Sequence, residues 1–317
     1  MTMATMATNQ SLPKKIAVLM GGPGSERDVS LATGRGVSKA LRSLGAEVVD
    51  VDVHDENFTL PKDVDLAFIT IHGTFGEDGQ LQEILEKRGV PYTGDAVQAS
   101  RAAFDKILSK EKFREHNVVT PEWEVVEAGQ RPTISAPLVV KPARQGSTVG
   151  VVIVKNASEL ESAMTEAGKY DHKLLIEKFV PGRELTIGVL GDQALPILEI
   201  IPKGGFYDFN NKYPFLNPQG GGGAEHVCPA KIDPTRTKQI QEQALHAFRA
   251  LGLVVYGRVD VLLSDSGEPF VLEVNTIPGM TEASLLPEAA AVAGINYVDL
   301  CARIIALSRA RMERSTR

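Results

Sequence analysis

The stretch PFVLEVNTIPGMTEAS, residues 269–284, places a carboxylate and a carboxamide two residues apart, Glu273 and Asn275, inside an apolar run that then turns into a Pro-Gly-Met loop. Side chains alternate along a strand, so Glu273 and Asn275 are expected on one face, about 6–7 Å apart, with Leu272, Val274 and Thr276 on the other. Just upstream, VYGRVDVLLSD reads as a second strand over 254–263, with Arg258 and Asp260 also two residues apart. The intervening SDSGEP has the chemistry of a tight hairpin connection. Folding the two strands antiparallel brings Asp260 near Glu273 or Asn275, three oxygen ligands beside an arginine. Magnesium suits such a set, because it takes hard oxygens and bridges one or two carboxylates to substrate phosphates. The competing readings are a solvated strand edge and a structural ion-pair cluster around Arg258.

Composition narrows the function classes. The 317 residues are 43% hydrophobic and 23% charged, ordinary globular protein long enough for two or three domains. A net charge of -6 with no basic block argues against nucleic acid and for a small ligand. The two cysteines, Cys228 and Cys301, form neither a metal motif nor a disulfide framework, which fits a reducing compartment. The opening MTMATMATNQS has no signal-peptide pattern and no apolar run is long enough to span a membrane, so the expectation is a cytoplasmic protein with no membrane partner.

Three blocks follow along the chain. Over 13–103, short apolar runs (16–20, 48–53, 65–71) alternate with helical patterns (29–44, 80–88) that stop at Gly45 and Gly89, the pattern of a parallel sheet with helices on its faces. After a helix in SRAAFDKILSKEKFREHN, a block over 104–186 reads as α+β, with strands in LVVKPA, GVVIVK and LLIEKF and a helix in SELESAMTEAG. The block 187–317 holds the strand pair described above, a helix in PTRTKQIQEQALHAFRALG and a terminal helix in NYVDLCARIIALSRAR. Residues 203–226 contain six glycines and no period, which reads as a lid carrying Lys212, with a disordered insertion as the alternative.

Several motifs could carry chemistry. In KPARQGSTVGV, Lys141 ends a strand, and Gly146, Ser147 and Gly150 form a small-residue turn whose N–H groups could face phosphate oxygens. A plain hairpin turn would explain the glycines but not the lysine. Lys106 offers a second cation, unless it is a solvated helical lysine. At the end of the strand in LLIEKFVPGRE, the backbone of Glu177, Lys178, Phe179 and Val180 could imitate base pairing to an adenine edge, with Glu184 near enough for ribose hydroxyls. GGPGSERDVS follows the first strand and opens a helix, an anion site by geometry, but it does not fit the dinucleotide fingerprint. Glu26 there either complements the helix dipole or receives an ammonium group. His72, in ITIHGTFGEDG, stands at a strand's C-terminal end, where open parallel sheets contact ligands.

In this order, GGPGSERDVSL, HGTFGEDG, PYTG, KPARQGSTVGV, FYDFNNKY, GRVDV and LEVNTIPGMTEASL resemble the D-alanine:D-alanine ligases of the ATP-grasp superfamily, from Lys15 to about Ala310. The resemblance implies an α/β, ATP-grasp fold: an N-terminal parallel domain (13–103) and central (104–186) and C-terminal (187–317) α+β domains clamping ATP. It implies ATP-dependent joining of two D-alanines for peptidoglycan synthesis. Lys106 and Lys141 would hold the α and β phosphates, Glu177 to Val180 the adenine, Glu184 the ribose and Lys212 the γ-phosphate. Asp260, Glu273 and Asn275 would hold two Mg2+ (or Mn2+) ions. Arg258 and the Gly279 N–H would form the oxyanion site, Ser284 and Leu285 would bind the second substrate's carboxylate, and Glu26 with His72 the first D-alanine. Tyr213, Ser147 and Glu26 would latch the lid. A homodimer is also suggested.

Two departures stand out: the stretch NPQGGGGAEHVCPA, with Gly220 to Gly223, and Ile277, where the family commonly has a small polar residue. Alternatives in view are D-alanine:D-lactate or D-alanine:D-serine ligation, another carboxylate–amine ligation, and a nucleotide-binding regulator on the same fold.

Overall fold

The structure, a computed structural model, describes residues 12–127, 129–146, 148–202 and 223–315. The chain opens with β1 (Lys15–Gly21), α1 (Arg27–Ser43), β2 (Glu47–Val53), β3 (Leu66–Ile69) and α2 (Gln80–Lys87). Strand order is β2-β1-β3, all parallel. Both faces are covered, as a parallel sheet requires. Ile16, Val18 and Met20 pack against α1 and the C-terminal helices, while Ala17 and Leu19 face the opposite cluster with Ile71, Leu81 and Leu85. Gly45 and Gly89, at φ +86° and +65°, end the two helices in the left-handed conformation as their spacing predicts.

The helix expected in SRAAFDKILSKEKFREHN is two helices, α3 (Val97–Phe104) and α4 (Lys106–Glu115). Asp105 separates them with an extended backbone, and its side chain accepts from the N–H groups of Ile107 and Leu108. Such a cap is worth about 1 kcal/mol, enough to start a new helix where continuing the old one has no packing advantage.

A four-stranded antiparallel sheet follows, built from β4 (Trp123–Glu127), β5 (Leu138–Pro142), β6 (Val152–Val154) and β7 (Lys173–Lys178) in the order β4-β7-β5-β6. Helix α5 (Leu160–Ala167) seals one face with Ala163, Met164 and Ala167. The third sheet is antiparallel: β8 (Gly182–Leu190), β9 (Gln193–Ala194), β10 (Leu198–Pro202), β11 (Ala224–Val227), β12 (Tyr256–Ser264) and β13 (Pro269–Asn275). Its order is β11-β10-β8-β12-β13, with β9 on β8. Helix α6 (Pro234–Ala250) packs Ile240, Ala244, Ala247 and Phe248 on its inner face.

Helices α7 (Leu285–Val292) and α8 (Tyr297–Ser315) close the chain, and Leu286, Ala290, Leu300, Cys301 and Ile304 join the β1 core. No single helix among the described residues is long and apolar enough to cross a membrane. Cys301 is buried and Cys228 half-buried, both as thiols.

One strand assignment needs correction. The β12–β13 register runs Asp260↔Glu273 and then Val261↔Val271, so Leu272 is an extra residue in β13. This bulge turns Leu272 toward the same cavity as Glu273, not to the opposite face as strict alternation predicts. Val271 and Val274 both point into the core.

Candidate active site

The hairpin brings Arg258 and Asp260 of β12 together with Glu273 and Asn275 of β13. Asp260 faces Glu273, and Arg258 faces Asn275. Arg258 forks Asp260, Nε to Oδ1 at 2.8 Å and an Nη to Oδ2 at 2.9 Å. Thr186 Oγ1 on β8 donates to Oδ1 at 2.6 Å, and Asn275 Nδ2 to Oδ2 at 3.1 Å. Glu273 reaches Lys106 at 3.4 Å. Among the described residues, no three His, Cys, Asp or Glu side chains gather as a metal site. Two carboxylates and a carboxamide on facing rungs nevertheless supply the hard oxygens a divalent cation takes, so the donor chemistry fits, provided the Arg258 fork and the Asn275 amide give up Asp260 oxygens.

Between the two antiparallel sheets lies a cavity of about 230 Å³. Lys106, Lys141, Glu177, Lys178, Phe179, Val180, Glu184, Asp260 and Glu273 all line it, with Leu185, Ile200, Leu262 and Leu272 among its apolar walls. Three lysines and an apolar slot suit a flat base attached to a polyanion, with four carboxylates, Glu177, Glu184, Asp260 and Glu273, on the same walls. Lys106 Nζ donates to Gln145 O at 2.6 Å and its N–H to Ala143 O at 2.9 Å, which pins the glycine-rich loop to the start of α4. Arg144 anchors the same loop by forking Asp171, both contacts at 3.0 Å. Thr148 and Gly150 adopt φ of +65° and +70°. At Gly150 a Cβ would come within 2.6 Å of Tyr170 and 2.7 Å of Pro142, so glycine is the residue that fits.

Glu177, 1% exposed, is held by Lys110 and Lys141. Burial alone would raise its carboxyl, but the two ammonium groups outweigh burial and keep it below the usual carboxylate range.

A second, narrower space shares Lys106 and Glu273 with the cavity and runs past Gly146, Glu77, Asn275 and Thr276. It leads toward Glu26, which is 7% exposed and does not cap α1 with its side chain. Glu26 Oε2 is lodged between two glycines: a Cβ on Gly73 would lie 2.6 Å from it and one on Gly146 3.3 Å. His72 Nε2 contacts Thr33 Oγ1 at 3.1 Å, and Nδ1 lies 2.8 Å from Ile277 O. Burial lowers the imidazole pKa, with Glu26 and the Ile277 carbonyl opposing and Arg258 reinforcing. Ile277 is 2% exposed and packs with Ile71, Phe75 and Leu81, which explains an aliphatic residue at that position. Gly279 abuts Ser284, since a Cβ would sit 3.0 Å from Ser284 Oγ. Ser284 precedes α7 and bonds Thr281, while Leu285 is buried beside Leu198 and Ile200.

The D-ala D-ala ligase C-terminus family model matches residues 104–306, and the N-terminus model of the same ligases matches residues 52–95. The D-alanine--D-alanine ligase of Methylacidiphilum infernorum (isolate V4) is 46% identical over 303 residues, covering 96% of this chain and 98% of that one. The chain belongs to the D-alanine–D-alanine ligase family. Among solved structures, the ATP-complexed D-alanine--D-alanine ligase of Bacillus anthracis superposes with a TM-score of 0.82 at 33% identity, covering 95% of this chain and 99% of that one. The VanG D-Ala:D-Ser ligase of Enterococcus faecalis reaches the same TM-score, 0.82, at 27% identity, covering 94% and 100%. The expected α/β, ATP-grasp architecture holds.

For this member of the ligase family, most of the residues singled out by sequence gather along one path, from the cavity past Lys106 and Glu273 to Gly146 and Glu26. Ser147, Lys212, Tyr213 and the loop residues 203–222 lie outside the described residues. Three residues escaped the sequence reading. Thr186 secures Asp260 from β8. Glu77 is buried by the narrow space, and burial, reinforced by Glu26, pushes its carboxyl well above the usual range against the pull of Arg258. Lys110 holds Glu177. For Lys110 a signal existed: Lys106 and Lys110 are four apart, a like-charge helix pair that is unfavourable unless an anion separates them.

Proposed function

We propose that this protein joins two D-alanines into D-alanyl-D-alanine at the expense of ATP, supplying a peptidoglycan precursor in the cytoplasm. The observation that carries the reading is the cavity itself, which three lysines and an apolar slot line together with the Asp260–Glu273 rungs. Relatives named as D-alanine–D-alanine ligases at 39–46% identity over nearly the full length support this substrate pair over the D-serine acceptor named for the 27% identical neighbour.

In this reading Lys106 and Lys141 hold the α and β phosphates, the backbone of Glu177 to Val180 reads the adenine edge, and Glu184 takes the ribose hydroxyls. Lys212 reaches the γ-phosphate. Glu26 with His72 holds the first D-alanine, Glu26 taking its ammonium and leaving its carboxylate free to react. That carboxylate attacks the γ-phosphorus, the bond to the β–γ bridging oxygen breaks, and ADP leaves an acyl phosphate. The amine of the second D-alanine, oriented through its carboxylate by Ser284 and Leu285, then attacks the acyl carbon. Arg258 and the Gly279 N–H stabilise the tetrahedral oxyanion, which collapses with loss of phosphate and of the amine proton. Two Mg2+ or Mn2+ ions held by Asp260, Glu273 and Asn275 would neutralise charge on the transferring group. The divisions 13–103, 104–186 and 187–317 serve as substrate, nucleotide and catalytic units, and the family resemblance suggests a homodimer.

The test is to incubate the protein with ATP, Mg2+ and D-alanine and to look for the dipeptide by mass spectrometry alongside ADP. ADP with D-alanine plus D-serine or D-lactate, but no dipeptide from D-alanine alone, would select an alternative acceptor. No ADP with any amino acid would point to a regulator.

A further inference from the structure

Helix α4 carries Lys106 and Lys110 one turn apart, and only Lys106 lines the cavity. Lys110 is 1% exposed, among the most completely buried large side chains of the protein. Its ammonium meets one oxygen of Glu177 and also Thr120 Oγ1, and Thr120 donates onward to Val271 O at 2.7 Å. The other oxygen of Glu177 meets Lys141. One buried carboxylate is therefore shared by two ammonium groups in unlike positions, Lys110 sealed in the core and Lys141 at the cavity wall.

Two cations are more charge than one carboxylate needs, and burying an ammonium is costly unless an anion pays for it. The surplus makes sense if a second anion arrives. We infer that Lys110 is a positioning residue, the permanent counter-ion of Glu177 that lets Lys141 turn from this carboxylate to the phosphates of an incoming nucleotide. The inference rests on the reading of Lys141 as a phosphate ligand.

Without Lys110, the departure of Lys141 would strand a charged carboxylate in the core, so Glu177 would hold Lys141 back or take up a proton. Lys110 cannot itself make the move, because Thr120 ties it to the carbonyl of Val271 on β13, the strand that carries Glu273. Burial pushes the Lys110 ammonium down to about 8, with Glu177 and Glu273 opposing and Lys141 adding to the fall. Near neutral pH most of it stays charged, as a permanent counter-ion must.

The experiment measures ATP and adenosine affinity by calorimetry, in the presence of Mg2+, for the wild type, Lys141→Met, Lys110→Met and the double variant Lys110→Met/Glu177→Gln, each checked by thermal unfolding. The readout is the ratio of ATP to adenosine affinity, since only ATP needs Lys141 to move. Lys141→Met should lower that ratio by about tenfold or more, the scale of a charged hydrogen bond. Lys110→Met should lower it by a similar factor of about ten, and the double variant, with no buried charge left to strand, should recover most of the loss.

An unchanged ratio in Lys110→Met, equal weakening of ATP and adenosine, or a double variant no better than the single would each overturn the inference. An unchanged ratio in Lys141→Met would overturn the phosphate reading and the inference with it. If Lys110→Met does not fold, the double variant decides: folded with a near-native ratio supports the counter-ion role, while an unfolded protein or a low ratio overturns it.

Discussion

Asp260 and Glu273 stand directly opposite each other across the β12–β13 ladder, and the bulge at Leu272 follows immediately. Facing positions on an antiparallel pair bring Cβ atoms within about 5.5 Å, close enough for like charges to repel unless cations intervene. Here Arg258 takes Asp260 and Lys106 takes Glu273. Replacing Glu273 with Gln relieves the repulsion but removes a hard anionic oxygen. We expect Glu273→Gln to keep the fold, with an unchanged or slightly raised Tm, and to abolish Mg2+-dependent dipeptide synthesis. Undiminished Mg2+-dependent turnover would remove Glu273 from the metal site.

Arg258 has one observed contact and one proposed role to be separated. It forks Asp260 in the ground state and is proposed to meet the oxyanion later. Loss of an oxyanion donor costs about 10²-fold or more in kcat. Arg258→Ala should therefore lower kcat by at least about that factor, with the KM for ATP changing much less, in steady-state kinetics. A loss confined to the KM for ATP would make it a ground-state binding residue.

What the sequence made legible follows from the range over which each signal acts. Helix stops at Gly45 and Gly89, the parallel first sheet and the β12–β13 hairpin all depend on residues a few positions apart, so period and turn chemistry reveal them. The break at Asp105 was harder to see, because no Gly or Pro marks it and the capping aspartate lies inside an otherwise helical pattern. The bulge at Leu272 left no glycine either. The site is legible in its motifs and illegible in its joints. Nothing local tells that His72 will meet the carbonyl of Ile277, or that Lys110 will reach across to Glu177, since these contacts join segments that only the folded sheets bring together. Family resemblance supplied roles, but not Lys110, Glu77 or Thr186, which act on other side chains or stand beside them.

The glycine at 73 carries a prediction of its own. Gly73 adopts φ +66°, and a Cβ there would lie 2.6 Å from Glu26 Oε2, so even a methyl group must displace that carboxylate. Misplacing a substrate-holding group by about 1 Å can cost roughly 10²-fold. Gly73→Ala should lower kcat/KM for D-alanine by about that factor while the KM for ATP stays within about twofold. If the variant loses thermal stability but keeps wild-type D-alanine kinetics, Glu26 does not hold the substrate.

The last prediction concerns stability and pH. Asp95 is 2% exposed and sits between the first sheet and β12, where Oδ1 accepts from the N–H groups of Val254 at 2.7 Å and Val255 at 3.1 Å. Burial pushes its carboxyl up to about 7, against these hydrogen bonds and the nearby Arg311. A carboxyl whose folded pKa lies above its unfolded value binds its proton more tightly in the native state, so the native state is favoured at low pH. That advantage is complete below about 4, the ordinary aspartate range, and is lost as pH rises to about 7. At about 1.4 kcal/mol per pKa unit, the loss has an upper bound near 4 kcal/mol. Asn at this position keeps an oxygen for Val254 and Val255 but cannot ionise. Thermal unfolding between pH 5 and 8 should show the wild type losing stability relative to Asp95→Asn as pH rises, with Glu77, His72 and every other titrating group common to both proteins cancelling in the comparison. Parallel profiles for the two proteins would mean that Asp95 ionises in the folded state as readily as in the unfolded chain, and that the Val254 and Val255 N–H groups with Arg311 offset burial in full.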